Sequence, residues 1–216
     1  MEQCAIFDVD GTVLDSMALW TDLDSSYLRS LGVEPPKTLS SVLKTMSLQQ
    51  CAEYFRREFG LTYTVPEIME QINRLVEEEY FYKVPLKPGV KEYLDFLSGT
   101  GVRMCIATAS EQIHVEAALK RLDVLHYFEF ILTCTQIGFG KDNPEIFLTA
   151  ARRLGAAPGQ ITVYEDALHA IKTAKAAGFR TAAVYDEYSR EDWEEAERIS
   201  DLAICDYLAA AEEKRR

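Results

Sequence analysis

The chain has 216 residues, 48% of them hydrophobic and 27% charged, with a net charge of −12. A chain of this length buries roughly 70% of its unfolded surface, so it needs neither disulfides nor a structural metal to hold a core. The acidic balance argues against a nucleic-acid partner and requires that any anionic substrate be held by a local positive site.

Five cysteines (Cys4, Cys51, Cys105, Cys134 and Cys205) are scattered without CxxC or CxxH spacing. Four lie in or beside apolar runs, where a free thiol packs as a small hydrophobe, and their odd number suits a reducing compartment. The N-terminal MEQCAIFDVDG shows no basic segment followed by an apolar one. No apolar stretch reaches the ~18 residues of a membrane span. The expectation is a cytoplasmic protein with no membrane partner; its oligomeric state is not readable from the sequence.

The first apolar run is CAIFDV (4–9), followed by VRMCIAT (102–108), FEFILT (128–133), QITVYE (160–165), RTAAVYD (180–186) and DLAICD (201–206). Each is short, rich in Val, Ile and aromatic residues, and nearly free of internal charge, as strands buried on both faces of a parallel sheet are. Helix-period segments at 111–121, 144–154 and 167–177 lie between them, the last stopping at Gly178. The alternation predicts an α/β fold: an open parallel Rossmann-like sheet flanked by helices. About ninety residues separate the first two strands, with helix-like patterns at 16–31, 39–59 and 66–82 and no strand. The organisation expected is an α/β core of 1–15 and 84–216, with a helical cap domain of 16–83 inserted after the first strand.

Four segments carry candidate chemistry. The first strand ends in Asp8-Val9-Asp10-Gly11-Thr12, followed by Asp15 and Ser16, two carboxylates placed where ligands bind in α/β sheets. Burying such carboxylates is costly unless a cation pairs with them. A polar strand-to-turn junction has the same composition, so this segment alone does not decide. The second strand ends in Thr108-Ala109-Ser110, where a hydroxyl and free backbone N–H groups can bind phosphate oxygens. Ser110 reads better as a helix N-cap, Thr108 as the functional hydroxyl. Gly138-Phe139-Gly140-Lys141 precedes Pro144, which suits a first helical turn, and Lys141 can neutralise a phosphate or Asp8. Glu165-Asp166 closes the strand at 160–165; acidic residues also favour a helix's first turn. Together with Asp8 and Asp10 the pair makes a crowded anionic site, for which Mg²⁺ is the natural counter-ion.

The ordered set DVDGTVLDS, ATAS, GKDNPEIF and YEDALHAIKTAKAAG resembles the four motifs of the haloacid dehalogenase-like (HAD) hydrolase superfamily. Within it the chain is similar to the branch holding phosphoglycolate phosphatases and beta-phosphoglucomutases, with a helical cap after strand one. The likeness runs from the N-terminus to about residue 186. It implies Asp8 as nucleophile and Mg²⁺ ligand, and Asp10 as general acid/base that gives its backbone carbonyl to the metal. It implies Thr108, Ala109 and Lys141 as phosphate-binding residues. Asp166 becomes a metal ligand, with Glu165 either a ligand or a partner of one. Asp10 is retained, whereas dehalogenases and phosphonate-cleaving relatives lack that second aspartate, which argues for C–O–P chemistry. VLKTMSLQQ (42–50) matches the segment where sugar phosphomutases carry LKGxSR, but Thr45 replaces the glycine and Leu48 the arginine that holds a second phosphate. Lys44 is either a cap contact or a solvated lysine.

The expected function is a Mg²⁺-dependent phosphatase acting on a small phosphorylated metabolite, a phosphomonoester, through an aspartyl-phosphate. A phosphosugar mutase and a catalytically silent phosphate-binding regulatory protein are the alternatives. The missing cap arginine weighs against the first, and the joint presence of Asp8, Asp10, Thr108, Lys141 and Asp166 against the second.

Overall fold

The structure is a computed structural model that describes residues 3–43, 46 and 48–215. Lys44 and Thr45, singled out above, lie outside the described residues. The chain divides into two compact units, Met1–Met17 with Val84–Arg216, and Ala18–Lys83.

The first unit begins with β1 (Cys4–Phe7); the chain then enters α1 (Met17–Ser30), α2 (Leu39–Leu43), α3 (Leu48–Phe59) and α4 (Val65–Tyr82). It returns through α5 (Val90–Gly99), β2 (Arg103–Thr108), α6 (Gln112–Arg121), β3 (Phe128–Thr133), α7 (Cys134–Ile137) and α8 (Glu145–Leu154). It closes with β4 (Ile161–Glu165), α9 (Leu168–Ala176), β5 (Arg180–Val184), α10 (Trp193–Ile199), β6 (Leu202–Ile204) and α11 (Tyr207–Arg215). All six expected strands are present, each within the run that announced it, and all pair in parallel in the order β3-β2-β1-β4-β5-β6.

Alternate residues of the central strands face opposite helical layers. Cys4, Ile6, Cys105, Ala107, Ile161 and Val163 pack with Ile146, Phe147 and Ala150 of α8 and Ala170 and Ala174 of α9. On the other face Phe7 stacks on Tyr164 with ring centroids 4.2 Å apart, and Tyr93 of α5 meets Tyr164 edge-on and lies 5.2 Å from Tyr207 of α11. Such aromatic pairs add about 0.5–1.5 kcal/mol each beyond the apolar area they bury. Because both faces are covered, the strands carry no alternation of polar and apolar residues.

The second unit is helical throughout its regular elements. Its longest helix, α4, starts in a capping box in which Thr64 and Glu67 satisfy each other's backbone N–H groups, with Pro66 in the first turn. Ile68, Ile72, Val76 and Tyr80 form its buried stripe, and Tyr27 of α1 packs against Phe55 of α3. The 39–59 pattern contains two helices, α2 and α3, and Leu48 opens the second.

Candidate active site

The strand order reverses at β1, whose neighbours β2 and β4 lead to opposite sides of the sheet. In open α/β sheets such a switch point leaves a crevice outside the carboxyl ends of the strands. The register Phe7↔Tyr164 and the bond from the Asp8 N–H to the Tyr164 carbonyl (3.0 Å) bring Asp8 beside Glu165, the last residue of β4. A cleft of about 410 Å³ opens here, lined by Asp8, Asp10, Lys141, Glu165 and Asp166 together with Met17, Ala109, Cys134, Gly140, Asp142, Ala167 and His169.

Tight backbone bonding shapes the loop that carries both aspartates. The N–H groups of Val13 and Leu14 both reach the Val9 carbonyl, and Gly11 turns the chain at φ +77°. A Cβ at Gly11 would lie 2.7 Å from Asp166 Oδ2 and 2.9 Å from Met17 Cγ, so only glycine permits this approach. Tyr207 of α11 donates its hydroxyl to the Thr12 carbonyl at 3.1 Å, fixing the far end of the loop.

Lys141 sits in the loop before α8, whose first free N–H, that of Glu145, is capped by Asn143 Oδ1 at 2.9 Å. Lys141 is only 7% exposed. Its ammonium donates to Asp8 Oδ1 and, at 2.8 Å, to Glu165 Oε1. The second Glu165 oxygen accepts the N–H groups of Asp166 (3.0 Å) and Ala167 (3.4 Å). Carboxylate oxygens of Asp8, Glu165 and Asp166, all buried, lie within 4.8 Å of one another.

This cluster holds more negative charge than Lys141 balances. Burial, with Glu165 adding to it and Lys141 opposing it, pushes Asp8 up to about 8. Asp166 is raised well above its ordinary value by burial, then by Glu165 and Asp8. Lys141 is raised as well: burial opposes its charge, and the Asp8 and Glu165 carboxylates outweigh that cost. The donor set fits a hard divalent cation: all-oxygen ligands, tightly grouped, whose ionised forms Lys141 balances only in part.

Asp10 lies apart from this trio. Its two carboxylate oxygens accept the hydroxyls of Ser16 (2.5 Å) and Ser110 (2.6 Å). Ser110 therefore does not cap α6 as the sequence suggested; the cap position falls to Glu111, which makes no side-chain cap bond. An acidic partner across the cleft offers this hydroxyl a charge-assisted bond that outweighs a neutral cap. Thr108 is wholly buried at the end of β2, its Oγ1 accepting the Ser110 N–H at 3.0 Å, while Ala109 lines the cleft beside it. Pro144, expected inside the first turn of α8, stands at its cap position.

Three hydrogen bonds and one lining residue of the cleft are not legible in the sequence. Ser16 and Ser110 were quoted within their motifs but not as partners of Asp10. Ser189, outside every motif, donates to Asp166 Oδ2 at 3.2 Å. His169, exposed in the first turn of α9, lines the cleft, and the sequence marks it only as lying three residues past Asp166.

The fold and site together are those of a doubly wound parallel sheet with a buried, lysine-bridged carboxylate cluster at its switch point. The chain belongs to the haloacid dehalogenase-like hydrolases, whose family model matches residues 5–184. It is 25% identical over 189 residues to the phosphorylated carbohydrates phosphatase of Thermotoga maritima, covering 82% of each chain. Hexitol phosphatase B of Escherichia coli is 28% identical over 186 residues, covering 83% of this chain and 82% of that one. Among solved structures, CbbY from Rhodobacter sphaeroides in complex with phosphate superposes with a TM-score of 0.75 at 22% identity, covering 96% of this chain and 95% of that one. The last likeness bears on the fold alone.

Proposed function

We propose that the protein is a Mg²⁺-dependent phosphomonoesterase in which Asp8 is the nucleophile, and that its substrates are small phosphorylated carbohydrates. The observation that carries the reading is the Lys141 ammonium held between Asp8 and Glu165 on the floor of an open cleft. A buried nucleophilic carboxylate needs positive charge around it to ionise and to receive an anionic ester. The substrate class follows the names of the relatives at 25% and 28% identity.

Asp8, Glu165 and Asp166 would hold the cation, which supplies charge neutralisation for phosphoryl oxygens and keeps the carboxylates ionised. The chain's own residues do the rest. An oxygen of Asp8 bonds to phosphorus as the bond between phosphorus and the ester oxygen breaks, giving an aspartyl-phosphate and an alkoxide. Asp10 gives its proton to the departing alkoxide; the Ser16 and Ser110 hydroxyls, able to accept as well as donate, hold its carboxyl in either protonation state. Asp10 then takes a proton from the water that attacks phosphorus, releasing phosphate and restoring Asp8. Lys141 steadies the transferring group, assisted by the Thr108 hydroxyl and the backbone at Ala109.

Residues 18–83 are read as the cap that selects the leaving group, since the chain departs into them directly after the acidic loop. A chain with these residues replaced by a short Gly/Ser bridge, if it kept the parent's substrate ranking, would remove that role.

The central test is phosphate release from a panel of sugar and alditol phosphates with Mg²⁺ and with excess chelator. Turnover that needs Mg²⁺ and is abolished in Asp8→Asn is expected. Full activity in chelator, or near-parental rates in Asp8→Asn, would overturn the metal or the nucleophile respectively.

A further inference from the structure

Ser189 lies half-buried in the segment after β5, and its hydroxyl donates to Asp166 Oδ2 at 3.2 Å. A network of bonds holds that segment in place. Asp186, 4% exposed, accepts the Lys87 ammonium on Oδ2 at 2.6 Å and the Tyr188 N–H on Oδ1 at 2.9 Å. Lys87 also donates to the Tyr185 carbonyl at 2.8 Å. The Lys87 backbone N–H is itself fixed on the Val13 carbonyl at 3.0 Å, in the loop that carries Asp8 and Asp10. On its other side the Asp166 carboxylate rests against Gly11, where even a methyl group would come within 2.7 Å of Oδ2. The carboxylate is thus fixed from two directions, by a glycine contact and by a hydroxyl.

We propose that Ser189 is a positioning residue for the divalent cation: its hydroxyl sets the rotation of the Asp166 carboxylate, and the Lys87–Asp186 pair holds Ser189 where it can do so. This rests on the magnesium-dependent reading above. Nothing in the four motif segments marks Ser189, Lys87 or Asp186; their link to the site exists only in the fold. Groups that orient a metal ligand typically contribute a factor of about 10–100 in metal affinity. The competing account is that Ser189 merely closes its own turn through the longer contact to the Asp186 carbonyl at 3.5 Å.

The test is calorimetric titration of Mg²⁺ into the full chain, paired with the melting temperature of the metal-free protein and the Mg²⁺ dependence of turnover. Ser189→Ala is expected to weaken Mg²⁺ binding about 10-fold or more. It should raise the Mg²⁺ concentration needed for half-activation by the same factor, with kcat at saturating Mg²⁺ and the metal-free melting temperature near the parent's. Ser189→Thr, which keeps a hydroxyl, should restore the affinity. Parental affinity in Ser189→Ala overturns the proposal, as does a lowered metal-free melting temperature with unchanged affinity, or a Ser189→Thr protein as weak as the alanine variant. A parent chain that binds no Mg²⁺ overturns the metal reading itself, an outcome separate from any difference between variants.

Discussion

Replacing Lys141 with methionine keeps most of the stem's volume and deletes the one charge that holds Asp8 and Glu165 together. The side chains of Lys141, Asp8 and Glu165 are 6%, 8% and 1% exposed, so water does little to screen the loss. Removing one partner of a buried ion pair costs about 3–5 kcal/mol, and two carboxylates share this partner, which puts the cost at the upper end. That is a third or more of a typical domain's ~5–15 kcal/mol. The cost depends on pH, and its sign can be worked out. Lys141 lowers the Asp8 and Asp166 carboxyls, so without it both rise further above the unfolded value of 3.8. A carboxyl raised in the fold makes the folded state keep protons that the unfolded chain releases, so stability falls as pH climbs from the unfolded pKa through the folded one. Near pH 5 Asp8 is protonated in parent and variant alike, and the gap between them is small. Near pH 9 the parent's Asp8 has ionised against Lys141 while the variant's, raised further, still holds its proton, so the gap has opened. Lys141 itself, raised in the fold, stays charged across this window and does not mask the trend. Urea unfolding of the two metal-free proteins at pH 5, 7 and 9 measures it. A gap equal at pH 5 and pH 9, or below about 1 kcal/mol at pH 9, would refute the electrostatic account.

Asp10→Asn should leave the circular dichroism spectrum intact and slow steady-state turnover by about 10²–10⁴, the range for losing a general acid–base group; a rate within tenfold of the parent's would take that role from Asp10. Gly11→Ala forces an L-residue into φ +77° and a methyl into the Asp166 carboxylate. The backbone strain costs about 1–2 kcal/mol, and the rise in melting temperature on adding Mg²⁺ should shrink as well. Thermal unfolding with and without the metal checks both, and an unchanged Mg²⁺ effect would show that Asp166 tolerates displacement.

The strands were readable because a parallel sheet covered on both faces writes itself as uninterrupted apolar runs, CAIF and FEFILT being the plainest. The apolar runs continue a residue or two past the last ladder bond, as at Val9, buried in the core, and Tyr185, whose hydroxyl donates to Glu187 at 2.7 Å. The carboxylates of the cleft were readable because Asp8, Glu165 and Asp166 directly follow or end strands, so spacing along the chain is nearly position in space. Contacts made by loop hydroxyls were not. Ser110 has the composition of a cap, and only the partner that folding brings to it, one hundred positions away at Asp10, diverts it. Ser189 gives no local signal at all, since its importance depends on a turn tied down by Lys87.

The chain leaves the core and re-enters it through paired segments: the Asp15 N–H bonds the Pro85 carbonyl, the Lys87 N–H bonds the Val13 carbonyl, and Leu14 bridges Leu86 in antiparallel fashion. This pinched doorway holds both ends of the inserted stretch at one place on the core. Loop-closure entropy grows only with the logarithm of length, so doubling the inserted stretch would cost about 0.6 kcal/mol. With both ends pinned together in this way, a longer or shorter insert would change the closure cost only slightly.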